Sequence, residues 1–219
     1  MKRILILAAV LFTAILIGYL ITPKVKKTLP IINPIDLKAE MVDPELLRVG
    51  NGHTIAEFSF QNQLGKITTD KDVSGKVFVV EYFFTTCGTI CPKMNIQMQR
   101  VQKAYLGNEN FKILSFTVNP EVDSIAQMKR YADNHGAKSN QWFFLTGDKN
   151  KLYEMARKSF FVLKPQEAQN LGGVESDFIH TNNFVLIDRK MRIRGYYDGT
   201  VPHAVDQLID DVQLLLEEE

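Results

Sequence analysis

An α/β domain is predicted by alternation along the chain. A continuous apolar run from Val77 to Phe84 reads as a buried strand. A helix from about Pro92 to Leu106 follows it, and a second apolar strand, Phe111 to Val118, follows the helix. That is a β-α-β unit, whose parallel crossover is expected to be right-handed. Ahead of it, Ile55 to Gln61 and Lys66 to Thr69 flank Asn62-Gln63-Leu64-Gly65 as a hairpin. After it come a helix from about Val122 to His135, a short strand Trp142 to Leu145 and a helix Lys149 to Phe160. Lys164 to Asp177, with Gly172-Gly173, reads as a loop or irregular hairpin. Phe184 to Ile187 and Met191 to Tyr197 flank Asp188-Arg189-Lys190 as an antiparallel pair, and Val205, Leu208, Ile209, Val212 and Leu216 fit a closing helix. Hairpin, β-α-β, then β-β-α describes a thioredoxin-like fold with an N-terminal β-hairpin extension.

The chain has 219 residues, and roughly 170 remain once its N-terminal segment is set aside, enough for one domain with a sizeable core. Its formal charge is +1, and no basic cluster is interleaved with aromatics, which argues against a nucleic-acid partner. From Ile4 to Ile21 the sequence carries no charge, a run just long enough to span a bilayer. It is longer than the apolar core of a typical signal peptide and has no clear small-x-small cleavage site, so residues 1–22 are expected to be an uncleaved, single-pass membrane anchor. No cysteine lies near its end, which excludes a bacterial lipoprotein anchor. Lys2 and Arg3 are balanced by Lys24, Lys26 and Lys27, so flanking charge does not fix orientation. Residues 23–50, with Pro23, Pro30, Pro34 and Pro44, read as a semi-extended tether, and residues 51–219 as the folded domain. With that export-type start, the domain is expected on the periplasmic, extracytoplasmic side of a bacterial inner membrane.

Cys87 and Cys91 are the only cysteines. They follow the strongest strand signal and precede Pro92, at a strand-to-helix turn. The amides and positive dipole end of a helix N-terminus stabilise a thiolate there. In helical geometry the four-residue step leaves the two Cα atoms roughly 6 Å apart on one face, near the upper end of the disulfide range. The pair therefore allows a structural disulfide, a redox couple or a metal clip, and its extra residue relative to C-x-x-C favours metal.

Of the four histidines, His53 follows a turn, His135 ends a helix and His203 starts one, all ordinary positions. His180 is different: it stands just before the Phe184 strand, whose end is expected near the cysteines. Met94 and Met98 are spaced with Val101 and Tyr105 as core residues of a helix.

Thr86-Cys87-x-x-x-Cys91-Pro92 after an aromatic strand, Asn119-Pro120-Glu121-x-Asp123, Phe144-Leu145-Thr146-Gly147, and His180 before Phe184-Val185-Leu186-Ile187-Asp188 together resemble the SCO/SenC family from about Ile55 to the C-terminus. The resemblance implies a membrane-tethered, thioredoxin-like copper protein that helps to build the binuclear copper site of cytochrome c oxidase. It implies Cys87, Cys91 and His180 as copper ligands, with a copper-accepting oxidase subunit and a copper donor or thiol reductant as partners. Two thiolates and one imidazole suit Cu(I) and, with a further weak ligand, Cu(II). Structural zinc would want a fourth protein ligand, and none is evident.

The alternative is a thiol-disulfide oxidoreductase in which Cys87 and Cys91 form the redox pair and His180 is dispensable. Against a generic thioredoxin, His180-Thr181-Asn182 stands where thioredoxins place a proline beside the dithiol, and the peroxiredoxin pattern Pro-x-x-x-Thr-x-x-Cys is absent. Two departures from the family pattern stand out. Gly88-Thr89 replaces the usual Pro-Asp between the cysteines, and Asn119 replaces an Asp. Losing a carboxylate beside the thiols is expected to let them ionise more readily.

Overall fold

The apolar run ahead of the cysteines becomes β3 (Val77–Phe83), every residue of which is buried, near the middle of a seven-stranded sheet. The computed structural model describes residues 28–163 and 181–218, together with residues 3, 11–13 and 17. The other strands are β1 (Ser59–Asn62), β2 (Ile67–Thr69), β4 (Phe111–Thr117), β5 (Trp142–Thr146), β6 (Asn183–Ile187) and β7 (Ile193–Asp198), in the spatial order β2-β1-β5-β4-β3-β6-β7. β3, β4 and β5 run parallel, and their continuous hydrophobicity reflects burial on both faces. β1–β2 is the expected hairpin, and β6–β7 the expected antiparallel pair.

Alternation along β3 divides the core. Val77, Val79 and Phe83 meet α1 (Cys91–Ala104), α2 (Ile125–Asn134) and α4 (Pro202–Glu217), whereas Phe78, Val80 and Tyr82 face α3 (Lys149–Glu154) and the chain that follows it. Buried Met94, Met98 and Val101 recur at helical spacing on α1 and pack with Val205, Leu208 and Val212 of α4. Both methionines are core, as their spacing predicts.

Two helices differ from their sequence limits. α2 begins at Ile125 rather than Val122, because Asn119 to Asp123 form a turn and Ser124 caps the helix, its Oγ accepting from Gln127 N. α3 is regular only to Glu154 and continues as a π turn, Met155–Ser159, before Phe161 takes a positive φ of 52°.

The segment ahead of the hairpin, read from sequence as semi-extended, lies against the domain from Leu29 onward. It forms three short 3-10 turns, Pro34–Asp36, Ala39–Met41 and Leu46–Val49, and buries Leu29 and Val42. Among the described residues no helix is long and apolar enough to cross a membrane. Most of the expected anchor, the Lys164 to Asp177 loop and His180 lie outside the described residues.

Candidate metal and redox site

β3 delivers the chain to the edge of the sheet where the parallel strands end, and the dithiol turn begins there. Phe84 O accepts from Cys87 N at 3.2 Å. α1 then starts at Cys91, with Ile90 as an N-cap that offers no side-chain bond and Pro92 in the first turn. The cap is supplied by sulfur: Cys91 N donates to Cys87 Sγ at 3.4 Å. One of the otherwise unpaired helix N–H groups is thereby spent on a thiol, and a sulfur accepting from a helix N-terminus is stabilised as thiolate.

The two thiols, both free, are unequal. Cys87 is half-buried and beside Thr89, whose Oγ1 lies 3.9 Å from Sγ. Burial pushes the Cys87 thiol up, but bonds from the Cys91 thiol and amide and from Thr89 outweigh it, and its pKa falls below the usual cysteine value. Cys91 is 3 % exposed, and burial, its bond to Cys87 and the nearby Cys87 and Glu81 charges push its thiol far up, against a lowering bond from the Phe84 backbone. Cys87 is thus the more readily ionised thiol, and Cys91 the one that holds its proton.

A polar cluster that sequence reasoning did not single out lies behind the pair. Glu81, on the α1 face of β3 by alternation, is 1 % exposed and accepts from Ser115 Oγ at 2.5 Å; Ser115 Oγ in turn accepts from Trp142 Nε1 at 2.7 Å. Burial raises its carboxyl to about 7 despite the Ser115 bond. Buried Asn95, one turn beyond Cys91, donates to Tyr131 OH at 2.5 Å and lies 3.3 Å from His135 Nε2. A signal for Glu81 was available, since it is the only charge within Val77–Phe83. Asn95 and Tyr131 gave none, because helical periodicity does not show which buried polar side chains meet.

Gly88 has open space where a Cβ would stand and carries no positive φ, so neither sterics nor backbone conformation requires glycine there. Asn119 N donates to Thr117 Oγ1 at 2.9 Å. His53 is a core residue: its Nε2 lies 2.9 Å from Ser159 O, and its ring packs on Phe161. A groove lined by Phe58, Phe60, Lys71, Lys151, Met155 and Ser159 shares no residue with the dithiol turn.

His180 falls outside the described residues, so Cys87 and Cys91 are the predicted ligands whose meeting is observed. β6 pairs antiparallel with β3 through Val80↔Val185, Val79↔Leu186 and Phe78↔Ile187. The first residues of β6 therefore lie beside the last residues of β3, on the edge that carries the thiols.

Comparison with known proteins gives one answer. The SCO1/SenC family profile matches residues 48–217. The chain is 34% identical to the SCO1 protein homolog of Bacillus subtilis (strain 168) over 165 residues, covering 74% of this chain and 82% of that one. The structure of BsSco, described as a member of the Sco family of cytochrome c oxidase assembly proteins with a disulfide switch, superposes with a TM-score of 0.64 at 31% identity, over 77% of this chain and 96% of that one. Bradyrhizobium japonicum ScoI, solved with copper bound, shares the fold at 23% identity and a TM-score of 0.56, over 72% of this chain and 98% of that one. With its thioredoxin-like sheet and its sulfur-capped dithiol helix, the chain belongs to the SCO1/SenC family.

Proposed function

We propose that this protein is a copper-binding assembly factor for cytochrome c oxidase, membrane-tethered by residues 1–22, with copper as its cargo on Cys87, Cys91 and His180. The carrying observation is the bond from Cys91 N to Cys87 Sγ, which turns a pair four residues apart into adjacent sulfurs at a helix start. Two soft thiolates suit Cu(I); the third ligand of the proposal, His180, comes three residues before β6 in the sequence, and β6 pairs antiparallel with β3, the strand that leads to the dithiol. Cys87 ionises readily and makes first contact. Cys91 must give up a proton that burial makes it hold, so loading releases protons and is favoured by rising pH. Release to an oxidase subunit then proceeds by exchange of one thiolate at a time, the more exposed Cys87 being the sulfur an incoming ligand reaches. The uncharged run of residues 4–21 supports a single-pass anchor, and the proposed extracytoplasmic placement of the domain is tested by its protease accessibility in spheroplasts.

The contrast between the two thiols favours a second reading alongside the first, thiol-disulfide exchange. The Cys87 thiolate attacks a partner disulfide, forming a mixed disulfide and expelling one partner thiolate. Cys91, deprotonated, attacks Cys87 Sγ, expels the second partner thiolate and leaves a Cys87–Cys91 disulfide, two electrons having passed to the partner. Anaerobic copper titration with X-ray absorption spectroscopy on wild type, Cys87→Ser and His180→Ala decides. The expected result is one copper in an S₂N environment, lost in Cys87→Ser and changed in coordination in His180→Ala. Unaltered coordination in His180→Ala, with reduction of an oxidised subunit peptide by copper-free protein, leaves the exchange reading standing.

A further inference from the structure

Asp123 lies just past β4, in the turn where Val122 N and Asp123 N both donate to Asn119 O, and its side chain is wholly sequestered from solvent. Its Oδ1 accepts from Thr85 N at 3.1 Å and from Thr85 Oγ1 at 2.5 Å, while Oδ2 accepts from Thr117 Oγ1. A buried carboxyl is costly unless its oxygens are bonded, and all of this bonding goes to two threonines.

Joining β3 to β4 does not require it. The parallel ladder already runs to Phe83↔Thr117, and Val118 N donates to Phe83 O at 2.9 Å beyond it. What Asp123 adds is a hold on Thr85, which lies past the last ladder pair and two residues ahead of Cys87. We propose that Asp123 is the positioning residue of the dithiol: acting through Thr85, it fixes the segment carrying Cys87 so that the sulfur meets the Cys91 amide at the start of α1.

The proposal rests on the reading of Cys87 as the copper-contacting thiolate and deepens it. From Thr85 the chain leaves the sheet and reaches α1 through Thr86, Gly88 and Thr89, all free of regular structure. Slack at Thr85 therefore passes directly to Cys87, and binding constellations tolerate only about 0.5 Å of such slack. The fixing is also two-sided, since Asp123 holds the segment before Cys87 and the Cys91 amide holds its sulfur.

Thr85→Val tests this, because it keeps the side-chain shape and the backbone donor while deleting the hydroxyl bond to Asp123. Val212→Ala, in the α4 core, is the comparison for lost stability alone. Three measurements are made on each: thermal midpoint, iodoacetamide alkylation of Cys87 in the copper-free protein, resolved by peptide mass spectrometry, and Cu(I) affinity by competition with a chromogenic chelator. In Thr85→Val the expected result is slower alkylation of Cys87 and Cu(I) binding about 10–100-fold weaker. Val212→Ala should lower the midpoint and leave both thiol measurements at wild-type values. Wild-type alkylation and Cu(I) affinity in Thr85→Val, or the same losses in Val212→Ala, would overturn the positioning role. Should the wild type bind no copper, the copper reading fails by itself, and the alkylation comparison still decides what Asp123 does.

Discussion

Glu81 is a carboxyl set into the most apolar strand of the molecule, held by Ser115 and wholly enclosed. Its pKa is raised to about 7 by burial, against an ordinary value of 4.5, so the folded state favours the neutral acid. The stability this contributes is fully present below 4.5 and is lost as pH rises through about 7. Glu81→Gln, which cannot ionise, should therefore gain about 2 kcal/mol on wild type between pH 5 and pH 8, read by chemical denaturation at both values. A difference that does not move with pH would show that Glu81 does not titrate in that window.

His53 works with the opposite sign. Burial lowers its pKa, with the Ser159 carbonyl bond opposing, so the neutral ring is favoured in the fold and stability falls as pH drops below the ordinary histidine value of 6.5. The stability gap between wild type and His53→Gln should narrow from pH 7.5 to pH 5.5. A gap that widens would refute the assignment.

At the scale of elements, α1 carries a buried thiol at its first residue and packs into the core along its length. Met98 is fully buried beside Met94 and Val101, and Met98→Ala should cost about 2–5 kcal/mol while leaving copper stoichiometry unchanged. Loss of bound copper in a folded Met98→Ala protein would instead make that thioether a ligand. The α2 and α3 limits show where pattern reading stops. Val122 and the residues after it fit a helix by composition, but the Asn119 turn and the Ser124 cap set the true start. Beyond Glu154 the apolar spacing continues while the hydrogen bonding shifts to a π turn, after which Phe160 and Phe161 are buried in the core.

Across the whole molecule, one buried arginine ties the N-terminal segment to the far edge of the sheet. Arg194, on β7, donates to Leu29 O at 2.7 Å and Pro30 O at 3.0 Å, and pairs with Asp188 and Glu218 at 2.9 Å. It thus joins the chain ahead of the hairpin, the β6–β7 turn and the residue that ends α4. Arg194→Met should cost about 2 kcal/mol, below the usual figure for breaking a buried pair because Arg192 still bonds Asp188. Proteolysis within residues 28–50 should accelerate with it. Unchanged protection of that segment would show that Leu29 and Val42 hold it without the arginine.

Sequence alone determined the α/β alternation, because strands buried on both faces must be continuously apolar and amphipathic helices must repeat at 3.6 residues. It also determined the dithiol at a strand-to-helix turn, since Pro92 and the Val77 run bracket Cys87 and Cys91 on any reading. Tertiary structure decided what those patterns leave open. The inequality of the two thiols is set by burial and by a bond from the Cys91 amide, quantities that a four-residue spacing does not contain. Glu81, Tyr131 and Asp123 reach the site region from separate elements, and pairings between elements are fixed by sheet register and packing, not by local periodicity. For the same reason the closing of Leu29 and Val42 onto the domain was invisible among the prolines of residues 23–50, where nothing local distinguishes a docked segment from a free one.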